Sequence, residues 1–361
     1  MGYAAPAIKM RIPKNIYGGK NMKKILALVL ALCMVFALAA CGSSSSSAPA
    51  AATKVKVGMV TDVGGVNDQS FNQFAWAGMQ NLAAEDSSFE VQFLESKTDA
   101  DYQTNINTFI DEEYDLIICV GYMLADATRE AAEDNPDQLF AIIDDSSIDL
   151  PNVACLTFAQ EQCSYLVGLI AGYMTESKTV GYIQGMVSDS MNLFGVGYIS
   201  GVLEACPDAT ILQYNANSFG DIAGGATAAK DMITKGADVI YHAAGATGMG
   251  MLNTCEEEKV WSIGVDADQA AVMGLNYCVS SALKDVGAGA ADIAKALKDD
   301  AFAAGIHHYT LADGAISFAT TGDHIPADVL EKVEAAKAAI IAGDFVVPTS
   351  VEACPAFILD D

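Results

Sequence analysis

Arginine is almost missing from this chain. Arg11 and Arg129 are the only two in 361 residues. Without arginine clusters there is no bidentate grip for phosphate groups, so nucleotides and nucleic-acid backbones are poor partners. The charge balance repeats that exclusion, with 19 Lys and Arg against 46 Asp and Glu. Residues 1–40 hold six basic and no acidic side chains, so the remainder carries a formal charge of −33. Such a charge repels anionic polymers and lipid, keeps the protein soluble and suits neutral or cationic ligands. Catalytic signatures are missing too. No H-E-x-x-H, G-x-S-x-G or C-x-x-C occurs, and neither a P-loop nor G-x-G-x-x-G is present. No catalytic residue, metal or cofactor is therefore expected, and the chain brings no ATPase motif of its own. Beyond the N-terminus no apolar run reaches membrane-spanning length. The cysteines make no disulfide framework. Cys33 and Cys41 aside, an odd seven remain, several inside apolar runs such as Leu116-Ile117-Ile118-Cys119-Val120, and they read as small core hydrophobes.

What is present begins with Met22-Lys23-Lys24, an apolar run from Ile25 to Ala40, and Leu38-Ala39-Ala40-Cys41. Positive charge, a short apolar core and small residues before a cysteine, in that order, look like a bacterial lipobox. The expectation is a signal peptide over 1–40, diacylglyceryl modification of Cys41, and a protein held by its acyl chains on the extracytoplasmic face of the cell membrane. Met22 is the expected start, which would place 1–21 upstream of it. Residues 42–53, rich in serine and alanine, read as a flexible tether, so 41–53 joins the lipid to the folded part.

About 310 residues follow, enough for one large or two medium domains. Strand and helix patterns alternate through them. Lys54–Thr61, Phe89–Leu94, Asp115–Val120 and Leu139–Ile143 read as strands, with helical periodicity between them. The alternation resumes after Gln160 and runs to Val260–Val265, with helices near 284–298 and 326–342 and short strands near 309–318. This predicts two open parallel α/β sheets of similar size. Ligands bind such sheets at the carboxyl ends of their strands, so the expected site is the cleft between the two, closing by a hinge.

Four strand ends carry polar or glycine residues. In Thr61-Asp62-Val63-Gly64-Gly65-Val66-Asn67-Asp68-Gln69-Ser70-Phe71-Asn72-Gln73, Asp62 stands at a strand tip and Asp68 or Ser70 can cap the next helix. Phe71 alone reads as a hydrophobic staple or core residue, with stacking on a ligand ring the alternative. After Ile143 come Asp144 and Asp145, of which only one can face a cleft, because strand neighbours point opposite ways. The turn Ala243-Ala244-Gly245-Ala246-Thr247-Gly248 offers backbone N–H groups, or is a plain tight turn. Val265 is followed by Asp266, and downstream Lys284 is a rare lysine that alone reads as a solvated helix residue.

Taken together, Asp62 to Gln73, Ala244 to Gly250 and Ile263 to Gln269 resemble the basic membrane protein family of bacterial lipoproteins, purine-nucleoside receptors of ABC transporters. The similarity runs over 54–350, including Ile340-Ile341-Ala342-Gly343-Asp344-Phe345-Val346-Val347-Pro348. It implies a two-lobed type I periplasmic-binding fold, with 54–160 plus 270–312 as the N-terminal lobe and 161–269 plus 313–361 as the C-terminal lobe. It also implies a base stacked between Phe71 and Phe219. Asp62 and Asp145 would read the base edge, Gly245, Asp266 and Lys284 would hold the ribose, and Asn72 would be a further ligand-binding residue. The implied partners are a purine nucleoside and ABC permease and ATPase subunits in trans, with no nucleic acid.

Two other classes remain in view. The carboxylates at 144/145 and 266/268, with His307-His308, could serve a nucleoside- or sugar-processing hydrolase. An adhesin or signalling receptor could use the same scaffold.

Overall fold

Alternating faces of two sheets organise the chain. A computed structural model describes residues 54–359, and the expected signal segment and Cys41 lie outside them. The strands are β1 Val55–Val60, β2 Phe89–Leu94, β3 Leu116–Val120, β4 Leu139–Ile143, β5 Val153–Phe158, β6 Thr179–Gln184, β7 Thr210–Asn215, β8 Val239–Ala243, β9 Trp261–Asp266, β10 Cys278–Lys284, β11 Gly305–Tyr309 and β12 Ile316–Phe318. They form two six-stranded sheets, ordered β11-β5-β4-β3-β1-β2 and β12-β10-β9-β8-β6-β7. Every pairing is parallel except β12 with β10.

A parallel strand buried on both faces is apolar throughout, and its side chains split between two cores. In β3, Ile117 and Cys119 pack with Tyr102, Ile106 and Phe109 of the helix Ala100–Asp111. Leu116, Ile118 and Val120 join the opposite core with Ala75, Met79 and Leu82 of the helix Phe71–Glu85. The second sheet repeats the scheme. Ile183 and Ile240 face the helices Ile222–Thr234 and Ala246–Glu258. Tyr182 and Tyr241 face the helices Gln160–Met174 and Asp189–Ala205. Six of the seven cysteines among the described residues are buried and Cys206 is half-buried, all as free thiols, as their apolar surroundings predicted.

The chain crosses between lobes after β5, after β10 and after β11. The expected second crossover at 270 falls too early. Cys278–Lys284 is a strand of the second sheet, paired with β9 and β12, and only from Val286 does the chain return to the first lobe. There Gly287 lies so close to Gly78 that a Cβ on Gly78 would come within 2.4 Å of its Cα. Lys284 accordingly ends a buried strand instead of standing on a solvated helix. Among the described residues no helix is long and apolar enough to cross a membrane.

Candidate functional site

In each sheet the strand order reverses beside the first strand of the lobe, at β1/β3 and at β6/β8, and the carboxyl ends of the strands face each other across one cleft. The first lobe contributes Asp62, Phe71 and Asn72 after β1, Gly121 after β3 and Asp144 after β4. The second contributes Met191, Phe194 and Phe219, then Gly245 after β8, Asp266 at the end of β9 and Lys284 at the end of β10. Seven of the eight ligand-site residues expected from sequence thus line one cavity.

Asp145 is the exception. Its Oδ1 accepts from the Ser147 N–H and Oγ–H, both at 2.8 Å, so it closes the turn after β4. Asp144, the residue directly after β4, takes the place in the cleft. Both cleft aspartates that end strands, Asp144 (φ 64°) and Asp266 (φ 62°), have left-handed backbones. That conformation costs a non-glycine residue on the order of 1 kcal/mol, a form of strain concentrated at functional sites.

The Asp62 loop is held by its own side chains. Asp62 Oδ1 accepts from Gly64 N–H at 2.8 Å and from Asn72 Nδ2–H at 2.7 Å, while Asn72 Oδ1 accepts the Asp62 N–H at 3.2 Å. Asp62 Oδ2 and the edge of the Phe71 ring converge at Gly121, where an added Cβ would lie 3.4 Å from each. Gly121 has φ 107°, a conformation that independently favours glycine. Opposite, the Phe219 ring is backed by Gly185, where a Cβ would come within 2.5 Å of the ring. Gly245, at φ 53°, turns the chain into the helix Ala246–Glu258 beside Phe219.

Lys284 is the cation of the cleft. Its Nζ bonds Asp144 Oδ2, lies 3.9 Å from Asp266 Oδ1, and stands 4.8 Å and 5.1 Å from the ring centres of Phe71 and Phe194. The acidic groups lining the cavity outnumber it. Burial pushes Asp62 up from 3.8 to about 7, against the pull of its hydrogen bonds from Asn72 and Gly64. Burial likewise raises Asp266 to about 6, despite the attraction of Lys284. A carboxyl group near its midpoint at neutral pH can either donate or accept a hydrogen bond to a ligand.

The raised value makes a testable statement about the ligand-free protein. A carboxyl whose folded pKa lies above its unfolded one supports folding fully at low pH, and that support is lost as pH rises through about 7. Asn keeps the acceptor and removes the titration. Asp62→Asn is therefore expected to gain on the order of 2 kcal/mol relative to wild type when urea melts near pH 8 are compared with melts near pH 5. Equal pH slopes for the two proteins would show that Asp62 is not the buried acid described.

Phe194, Met191, Gly121 and Met123 were not singled out from sequence. The last two follow β3 as Asp62 follows β1, and Met191 and Phe194 share one face of a first helical turn, so both signals were present. The other carboxylates proposed for a hydrolase are engaged elsewhere. Asp268 caps the short helix Gln269–Met273 and bonds Thr321, and His307 and His308 sit on edge strand β11, outside the cavity lining.

Two α/β lobes joined by three crossovers, with an aromatic and acidic cleft between them, define a two-lobed solute-binding protein. The sequence matches the family described as ABC transporter substrate-binding protein, PnrA-like, over residues 55–350, and the chain belongs to that family. It is 39% identical over 312 residues to a CD4+ T-cell-stimulating antigen of Listeria monocytogenes, covering 81% of this chain and 87% of that one. It is 36% identical over 316 residues to the ABC transporter nucleoside-binding protein BmpA of Lactococcus lactis subsp. cremoris, covering 82% and 89%. A solved ABC transporter solute-binding protein from Aeropyrum pernix superposes with a TM-score of 0.76 at 26% identity, covering 82% and 95%.

Proposed function

We propose that the protein is a lipid-anchored extracytoplasmic receptor that captures a purine nucleoside and delivers it to an ABC permease. One observation carries the reading: Phe71 of one lobe and Phe219 of the other line the same cleft, with Asp62 beside Phe71. Two aromatic faces suit a flat heterocycle, and carboxylates suit its N–H edge and the ribose hydroxyls. A relative at 36% identity named as nucleoside-binding supports the same class. Lys284 is committed to Asp144, so a phosphate would meet net negative charge without a free cation. Cys41 is the proposed anchor, and loss of labelled palmitate incorporation in Cys41→Ala is the expected check.

Calorimetry with guanosine, inosine, adenosine, ribose and guanosine monophosphate tests the ligand. Nucleosides are expected to bind, and the monophosphate to bind at least about tenfold more weakly. Failure of all three nucleosides, or release of free base during incubation, would overturn the reading. Mass spectrometry of the small molecule that co-purifies with the protein identifies the ligand independently.

A further inference from the structure

The helix Phe71–Glu85 starts in an unusual way. Ser70 occupies its N-cap position but makes no capping bond with its side chain. Asp68 does that work: its carboxylate accepts from the N–H groups of Ser70 at 3.0 Å, Asn72 at 2.9 Å and Gln73 at 3.1 Å. The Ser70 hydroxyl is thereby released, and it donates across the cleft to Asp266 Oδ2 at 2.5 Å. The neighbouring residue, Gln69, has a left-handed backbone (φ 54°). Its carbonyl oxygen accepts from Gln269 Nε2–H of the second lobe at 2.9 Å. Gln269 is itself fixed. Its Oε1 meets the Val265 N–H at 2.9 Å and His242 Nε2 at 2.9 Å, and its own N–H donates to Ser281 Oγ at 3.1 Å. Ser70 and Gln269 are fully buried, and neither lines the ligand cavity.

We infer that Ser70 and Gln269 are positioning residues forming an interlobe latch, which holds the closed cleft and sets the Phe71 ring without touching the ligand. Adjacent residues of one loop are tied to two consecutive features of the opposite lobe, and the stacking residue follows directly in sequence. Opening the lobes breaks both bonds, so the latch acts on release. Two acceptors, the half-buried Gln69 carbonyl and the buried Asp266 Oδ2, lose these donors when the cleft opens and are then free to be solvated. This inference rests on the cleft being the binding site, and its nucleoside arm rests on the function proposed above.

Guanosine is the probe, followed by stopped-flow fluorescence of Trp76 and Trp261. Ser70→Ala and Gln269→Ala are each expected to raise the dissociation rate about tenfold while the association rate stays within about twofold. Ser70→Thr keeps the hydroxyl and is expected to restore slow release. A merely structural role predicts lower melting temperature and matching losses in both rates, without rescue by threonine. Unchanged dissociation in both alanine variants, with guanosine bound by wild type, would overturn the latch. If wild type does not bind guanosine, that result bears on the proposed ligand and not on the latch. Amide hydrogen exchange over 68–73 in the ligand-free protein then decides the latch: faster exchange in both alanine variants supports it, and unchanged exchange removes it.

Discussion

Lys284→Met is expected to cost the ligand-free protein about 3–5 kcal/mol of stability at neutral pH. The ammonium is 1% exposed, bonded to Asp144 and 3.9 Å from Asp266. Methionine has similar length and fits an apolar site, so little packing is lost and the cost is electrostatic. Removing the cation leaves two carboxylates buried near each other with no opposite charge. Part of the cost is avoided when Asp266, already raised to about 6 by burial, takes up a proton, so the loss should shrink as pH falls toward 5. The double change Lys284→Met with Asp144→Asn should cost less than the sum of the two single changes, because the second removes the acid that the first orphaned. Urea melts of the four proteins measure this directly. A single Lys284→Met variant within about 0.5 kcal/mol of wild type would mean that the pair contributes no net stability. Guanosine affinity should fall as well, since Lys284 stands over Phe71 and between both strand-end aspartates.

Lys284 also shows where sequence reasoning stopped. Its neighbours Ser280 to Leu283 carry no clean period, and the strand Cys278–Lys284 is defined by its pairing with β9 on one side and with β12, beyond the next crossover, on the other. Pairing of that kind is a tertiary fact, and the lobe boundary at 270 went wrong with it. By contrast β2 and β4 were legible to the residue, because local apolar patterning and turn residues marked their ends. The same contrast holds within the site. Asp62, Phe71, Asn72, Gly245 and Asp266 sit in short motifs at strand ends and were readable there. Asp144 against Asp145 depended on which of two adjacent side chains turns inward, and the φ of 64° at Asp144 that decides it has no sequence marker beyond aspartate's tolerance of that region. The helix cap was ambiguous for the same reason. Asp68 and Ser70 are both good capping residues, and only the position of Asp266 in the other lobe explains why Ser70 is spared.

Phe71→Ala and Phe219→Ala are each expected to weaken guanosine binding by about 1–3 kcal/mol, and the double variant by more than either. The two rings reach the cavity from different lobes. A base held between them gains dispersion and quadrupole contact on both faces only after closure, so the two losses should couple. Once one ring is gone the base can shift, and removing the second ring costs less than it does in the intact cleft. Phe194 provides the control. It lines the same cavity and lies near Lys284, and if it only walls the site then Phe194→Ala should cost less than either stacking change. Ribose alone should be insensitive to Phe71 and Phe219, since it offers no planar face. Phe219 is buried, so its alanine variant must first show an intact near-UV dichroism spectrum. Calorimetry then separates the cases. Wild-type guanosine affinity in the folded double variant would leave the aromatic pair as core packing, and equal losses for guanosine and ribose would place the contribution of these rings in lobe closure instead of in base stacking.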